Sequence, residues 1–347
     1  MQLGHVDNYG NLLRVFRIYD TNKNGYISKE EDPEVKRLDV DGDDRASLWE
    51  LMVGVNAQRG KVYFTGKEIE TIQESIKYMP NVSPGNILHL VLAINRRFIC
   101  KKDMQQIYAL FNFVLQKIKQ EEFDKLSPEG KMEKVLKILI DKDECNFKII
   151  NCLLPNIKGK SADVFGLYFL KRKFNCVSFA YTILVIGQEM NWPLSLIELP
   201  SHVAIHWEAG KDSFLFERHR GVVKDYNIYK DFYKLLSDES IKSGAYLRPI
   251  SESEALANMY LWRARVKYYF ELYWGAYRDL STAISLAPLN VHAYHGLGAT
   301  YRRLENDYWF DTTFYKKQIE QILDKIYRLD PDFHNRPHLQ KLPECED

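Results

Sequence analysis

One cysteine stands where thiol chemistry has what it needs. In "FNCVSFAYTILVIG", Cys176 opens a run in which Val177, Phe179, Ala180, Ile183, Leu184 and Ile186 form an apolar stripe at helical spacing. A thiol attacks only as thiolate, and the free N–H groups at a helix start favour that form. The Cys176 N–H would also lack a partner within the helix and could meet a developing oxyanion. Such a nucleophile needs a base, and the base needs a group to orient it. "HVAIHW" reads as a strand that sets His202, Ala204 and His206 on one face. Glu217 ends the next strand-like run, "DSFLFE", and antiparallel pairing could bring its carboxylate beside His202. The candidate constellation is Cys176 as nucleophile, His202 as base and Glu217 as orienter. His206 and His219 are alternative polar groups for the site, and Asp212 is a fallback orienter. Buried thiols are usually inert, so the weight lies in the ordered trio.

A second set of residues has metal chemistry. "DTNKNGYISKEE" places Asp20, Asn22, Asn24, Ser28 and Glu31 at positions 1, 3, 5, 9 and 12, with the Tyr26 carbonyl at position 7. Calcium takes six to eight oxygens, Gly25 permits the sharp turn, and a final glutamate can bind through both oxygens. The segment resembles an EF-hand loop at every ligand position. "DVDGDDRASLWE" repeats the pattern with Asp39, Asp41, Asp43, the Arg45 carbonyl, Ser47 and Glu50. It departs from the family at Asp44, where glycine is usual, and at Ala46, where a β-branched residue is usual. The resemblance implies a compact calcium-binding pair, with weaker binding in the second loop. A compact pair suggests a structural clamp, although a regulatory role stays open.

The stretch from "FNCVSFAYTILVIG" through "MNWPLSLIELPSHVAIHW" to "FLFE" resembles the transglutaminase-like core of the papain-type superfamily, over about 165–250. That family starts a helix with its cysteine, continues through a turn to a strand bearing histidine, and ends with an acid on the next strand. The resemblance implies a Cys-His-acid triad at Cys176, His202 and Glu217. It also implies an acyl-enzyme, resolved by water or by an amine, and a protein or peptide substrate. Arg218 follows Glu217, whereas family members often carry aspartate, or glutamate followed by threonine. The alternative is a catalytically inactive calcium-binding scaffold or a peptide-binding module.

These residues need elements to hold them. Apolar residues recur at helical spacing in "GKEIETIQESIKYM", "PGNILHLVLAINRRF", "MQQIYALFNFVLQKIKQ" and "GKMEKVLKILI", with Pro84 expected in a first turn. The helix from Cys176 and the strands "LSLIEL", "HVAIHW" and "DSFLFE" follow, and after 253 the pattern is helical to about 330. There Ala264, Ala276 and Ala283 occupy small positions, and Tyr294, Leu297, Gly298 and Tyr301 match the next unit. This stretch resembles tetratricopeptide repeats, which implies a peptide groove or, with so few repeats, a structural brace. The expected fold class is α+β. A papain/transglutaminase-like core, made of a helical lobe and a small antiparallel sheet, is flanked by an EF-hand pair and tetratricopeptide-like hairpins. The expected bounds are 1–60 for the pair, 61–250 for the core, 251–335 for the repeats and 336–347 for a polar tail.

Composition narrows the classes. Hydrophobic residues are 46% and charged residues 27%, as core-forming chains have. A net charge of +1 argues against a chain built around nucleic acid. No apolar run reaches membrane-spanning length. Five cysteines without a C-x-x-C pair argue against a disulfide framework or zinc ribbon and for a reducing compartment. Cys100 and Cys152 read as core. "MQLGHVDNYG" lacks a basic-then-apolar leader pattern, so the expected location is cytoplasmic, with export the alternative had a leader been removed.

Overall fold

The computed structural model describes residues 18–22, 26–33, 35, 45–46, 66–140, 175–200, 202–218, 220–232, 236–307 and 312–333. They are mixed helix and sheet. They fall into two compact units, one within Phe64–Met259 and one combining Met1–Tyr63 with Tyr260–His334.

The first two strands, β1 (Ile27–Ser28) and β2 (Arg45–Ala46), form an antiparallel ladder with Ile27 opposite Ala46. Both are position 8 of their loops, so the two segments meet at equivalent points. Among the described residues of the Phe64–Met259 unit, four α-helices come first: α1 (Gly66–Tyr78), α2 (Ile87–Asn95), α3 (Lys101–Gln120) and α4 (Pro128–Ile140). Asn86 caps α2 by accepting from the Leu88 N–H. Pro84 therefore sits two residues before the cap and not in the first turn, because Asn86 offers the side-chain acceptor that proline lacks.

Next comes α5 (Cys176–Glu189), buried along nearly its whole length. It packs on a five-stranded antiparallel sheet of order β6-β5-β4-β3-β7. The strands are β3 (Leu194–Leu199), β4 (His202–Trp207), β5 (Phe214–Glu217), β6 (Gly221–Val223) and β7 (Pro249–Ile250); α6 (Asn227–Phe232) and α7 (Asp238–Lys242) lie between β6 and β7. The α5 face of the sheet holds Leu194 and Phe216. Phe179 of α5 meets the Phe216 ring at 6.2 Å, and Gly187 leaves room for Leu194, whose Cδ1 would lie 2.3 Å from an added Cβ. On the other face, Ile197, Leu199, Ala204, Leu215 and Val223 cluster with Tyr229 of α6.

The far end of α5 is fastened to α2. The Glu189 carboxylate accepts from the Ser83 N–H at 2.7 Å and from Asn86 Nδ2 at 2.8 Å, and Gln188 Oε1 accepts from the Ile87 N–H at 3.0 Å. Negative charge at a helix start is favoured by the free N–H groups there.

The last helices are α8 (Glu252–Tyr269), α9 (Tyr273–Leu286), α10 (Val291–Asp307) and α11 (Thr312–Leu329). Ala264, Ala276 and Ala283 are buried, as their small-residue positions predict. Tyr277, Tyr294, Tyr301 and Tyr315 fill the space, with the Tyr277 and Tyr301 hydroxyls 3.2 Å apart. Asp279 holds Arg263 at 2.8 Å and Lys267 at 2.6 Å. Among the described residues, no helix is long and apolar enough to cross a membrane.

Candidate active site

Cys176 is the first residue of α5, and Asn175 is its N-cap. The Asn175 side chain accepts from the Ser178 N–H at 2.8 Å, and the Ser178 hydroxyl accepts from the Asn175 N–H at 3.0 Å. This reciprocal cap fixes the first turn and with it the departure of the Cys176 side chain. His202 is likewise the first residue of β4, opposite Leu199. The two residues meet there, with the imidazole and the Val203 and Val177 N–H groups close enough to the sulfur to favour its thiolate form.

The β4–β5 register runs Ile205 to Phe216, His206 to Leu215 and Trp207 to Phe214. One further step sets Glu217 opposite Ala204, on the face that carries His202. His202 Nε2 lies 3.1 Å from Glu217 Oε1. The N–H is not aimed along that line, so attraction of charge holds the pair more than a directed hydrogen bond does. Nδ1 is then the ring nitrogen left for the sulfur. The Tyr229 hydroxyl donates to the same Oε1, and Arg220 Nε stands 3.7 Å from Oε2.

The environment separates the charges. Burial pushes the Cys176 thiol up, but the His202 hydrogen bond and charge, aided by the Val203 and Val177 N–H groups, bring it below its ordinary value. Burial alone would lower His202. The nearby Cys176 sulfur and Glu217 carboxylate, which favour the charged ring, push it up to about 9. Glu217 is buried, yet the close His202 ring, the bond from Tyr229 and the charges of His202 and Arg220 hold it below the usual carboxylate value. Each of the three groups thus favours the charged form of its neighbour: thiolate beside imidazolium, and imidazolium beside carboxylate.

The other sequence candidates fall elsewhere. His206 shares the His202 face but lies four residues along the strand, about 13 Å away. It contacts the Ser195 hydroxyl at 3.3 Å and Glu208 at 3.6 Å, and burial lowers its pKa. Asp212 lies in the β4–β5 connection, at the opposite end of β4 from His202, and is not the orienter. His219 and Cys152 lie outside the described residues. Cys100 is not core: it is half-buried and caps α3, its sulfur accepting from the Asp103 N–H at 3.3 Å. A sulfur acceptor at that position satisfies an otherwise orphan helix donor. Sequence reasoning missed Tyr229, Arg220 and the Val203 N–H. Only the three-dimensional approach of β6, α6 and the start of β4 reveals them.

No protein-family model, curated protein or solved structure matches this chain.

In the first loop, Glu31 reaches back across the segment. Its Oε1 accepts from the Thr21 hydroxyl at 2.9 Å and the Asn22 N–H at 3.0 Å, and its Oε2 accepts from the Ser28 N–H at 2.9 Å. Burial opposes the charge, but these bonds hold Glu31 below its ordinary pKa. Asp20 is buried at the start of the same loop. Among the described residues, no group of three or more His, Cys, Asp or Glu gathers as a metal site. The amide, hydroxyl and carbonyl oxygens that Asn22, Ser28 and Tyr26 carry are of the hard type that suits calcium. Asn24, Asp39, Asp41, Asp43, Ser47 and Glu50 lie outside the described residues, and Arg45 is the member of the second loop set within them.

Proposed function

We propose that this chain is a thiol enzyme of transglutaminase-like type that acts on protein or peptide amides. The observation that carries this reading is the line Cys176–His202–Glu217, with the sulfur at a capped helix start and the imidazole 3.1 Å from a buried carboxylate. The Cys176 thiolate adds to the substrate carbonyl carbon, and the Cys176 N–H, unpartnered within the helix, faces the oxyanion. Collapse breaks the C–N bond. The departing amine takes the His202 proton, leaving a thioester on Cys176. His202 then removes a proton from water or from an acceptor amine, which attacks the thioester and releases the Cys176 thiolate. Glu217 keeps the imidazole oriented and stabilises its charged form.

The EF-hand reading is part of the proposal. Asp20, Asn22, Asn24, Ser28, Glu31 and the Tyr26 carbonyl would hold Ca2+ in the first loop. Asp39, Asp41, Asp43, Ser47, Glu50 and the Arg45 carbonyl would hold it in the second. The Ile27–Ala46 rung supports this, because it joins the two segments at matching positions. The ion supplies positive charge that ties each loop together. The small positions filled by Ala264, Ala276 and Ala283 favour the tetratricopeptide-like reading of the C-terminal helices.

The test is the pH dependence of iodoacetamide alkylation, followed residue by residue by mass spectrometry. Cys176 should react at pH 6 about tenfold faster than Cys100 or better, and His202→Ala should remove that advantage. If Cys176 reacts no faster than Cys100, the activity is excluded and a calcium-binding scaffold or peptide-binding protein remains.

A further inference from the structure

We propose that Tyr229 is a positioning residue of this site, holding Glu217 in the ionised, His202-facing state that keeps the imidazole charged. The inference rests on the function proposed above. Tyr229 lies on α6, and its ring is buried beneath the sheet among Ile197, Leu199, Ala204, Leu215 and Val223. Its hydroxyl meets Glu217 Oε1, the same oxygen that faces His202 Nε2. An ionised carboxylate only accepts, so the phenol is the donor. The ring is fixed by its apolar neighbours, and the position of the hydroxyl oxygen is fixed with it. The carboxylate therefore has a rigid anchor from one side while the imidazole approaches from the other.

Among the described residues, the remaining charged neighbour, Arg220, is less suited to the task. Its side chain is 35% exposed and its Nε is 3.7 Å from Oε2, so water competes for it. The groups that bear on this titration are Cys176 and Glu217 around His202, and His202, Tyr229 and Arg220 around Glu217. Without the phenol O–H, the buried carboxylate loses a donor to its charged form and the anchor that keeps it facing Nε2. It is then free to take a proton or turn toward Arg220, and the imidazolium loses its counter-charge.

The experiment compares the full-length wild type with Tyr229→Phe, which keeps the buried ring and removes only the hydroxyl. A thermal melt first establishes that the variant folds. The His202 ring is then titrated by NMR, and Cys176 alkylation by iodoacetamide is profiled against pH. The expected result is a fall of about 0.5 pH unit or more in the His202 titration, with the acid limb of alkylation moving to higher pH. In a Glu217→Gln background, Tyr229→Phe should add no further shift, because the residue acts through that carboxylate. A His202 titration that is unchanged or raised in Tyr229→Phe overturns the proposal, as does an equal shift in both backgrounds. The NMR titration reads this role even if wild-type Cys176 alkylates like an ordinary thiol, a result that would defeat the proposed activity alone.

Discussion

Cys176 and His202 are ordinary residues made unusual by where their elements begin. Each stands at the first position of a helix or strand, where backbone pairing stops and a side chain can face its counterpart. The sign of each pKa shift follows from the partner it gains, and the shifts carry a linked effect on stability. His202 is raised to about 9, so its contribution is complete below the free imidazole value of about 6.5 and is lost as pH rises through about 9. The depressed Glu217 contributes above its unfolded value and loses that contribution as pH falls through its lowered one. Thermal melts should therefore show wild type losing stability between about pH 6.5 and 9 in a component that His202→Ala lacks. The trio was legible from sequence because a helix start, strand alternation and chain order each constrain one member. Tyr229 was not. β6 has three residues and α6 has six, too few for periodicity to reveal which face is inward.

Among the secondary structures, α5 shows how a local signal sets the direction of a side chain. Asn175 and Ser178 exchange hydrogen bonds across the first turn, so the cap both stabilises the helix and aims the sulfur. Asn175→Ala should cost about 1 kcal/mol in urea denaturation. It should also slow alkylation of Cys176 at pH 6, while Cys100 alkylation stays the same. The strands 194–199 and 202–207 were readable because each is a short apolar-rich run of strand length. β7, two residues long, carried no pattern, and its place beside β3 arises from pairing distant in sequence. Pro84 misled because proline suits a first turn, yet two residues later asparagine supplies a better cap.

At the level of the folded chain, one unit holds the sheet and α5, and the other combines the N-terminal and C-terminal segments. Calcium, if held by the two loops, binds the native state alone, so its addition should raise the melting temperature. The gain should grow with the logarithm of free ion concentration and vanish on chelation. Glu31→Gln should weaken the response strongly, because it removes half the carboxylate set of the first loop. Absence of any calcium-dependent melt in the wild type would remove the metal from the account. The calcium-loop reading rests on ligand spacing in the sequence, whereas the grouping of Met1–Tyr63 with Tyr260–His334 in one unit depends on long-range packing that no local pattern shows.

The fastening of Glu189 to Ser83 and Asn86 has a mechanical consequence for the opposite end of α5. Fourteen residues make a stiff rod about 21 Å long, gripped at one tip and bearing the Cys176 thiol at the other. A tilt of about 3° at the grip carries the sulfur roughly 1 Å, enough to spoil an attack trajectory. Substitutions at Glu189, far along the rod from the thiol, would then act on the reaction as a lever acts on its load.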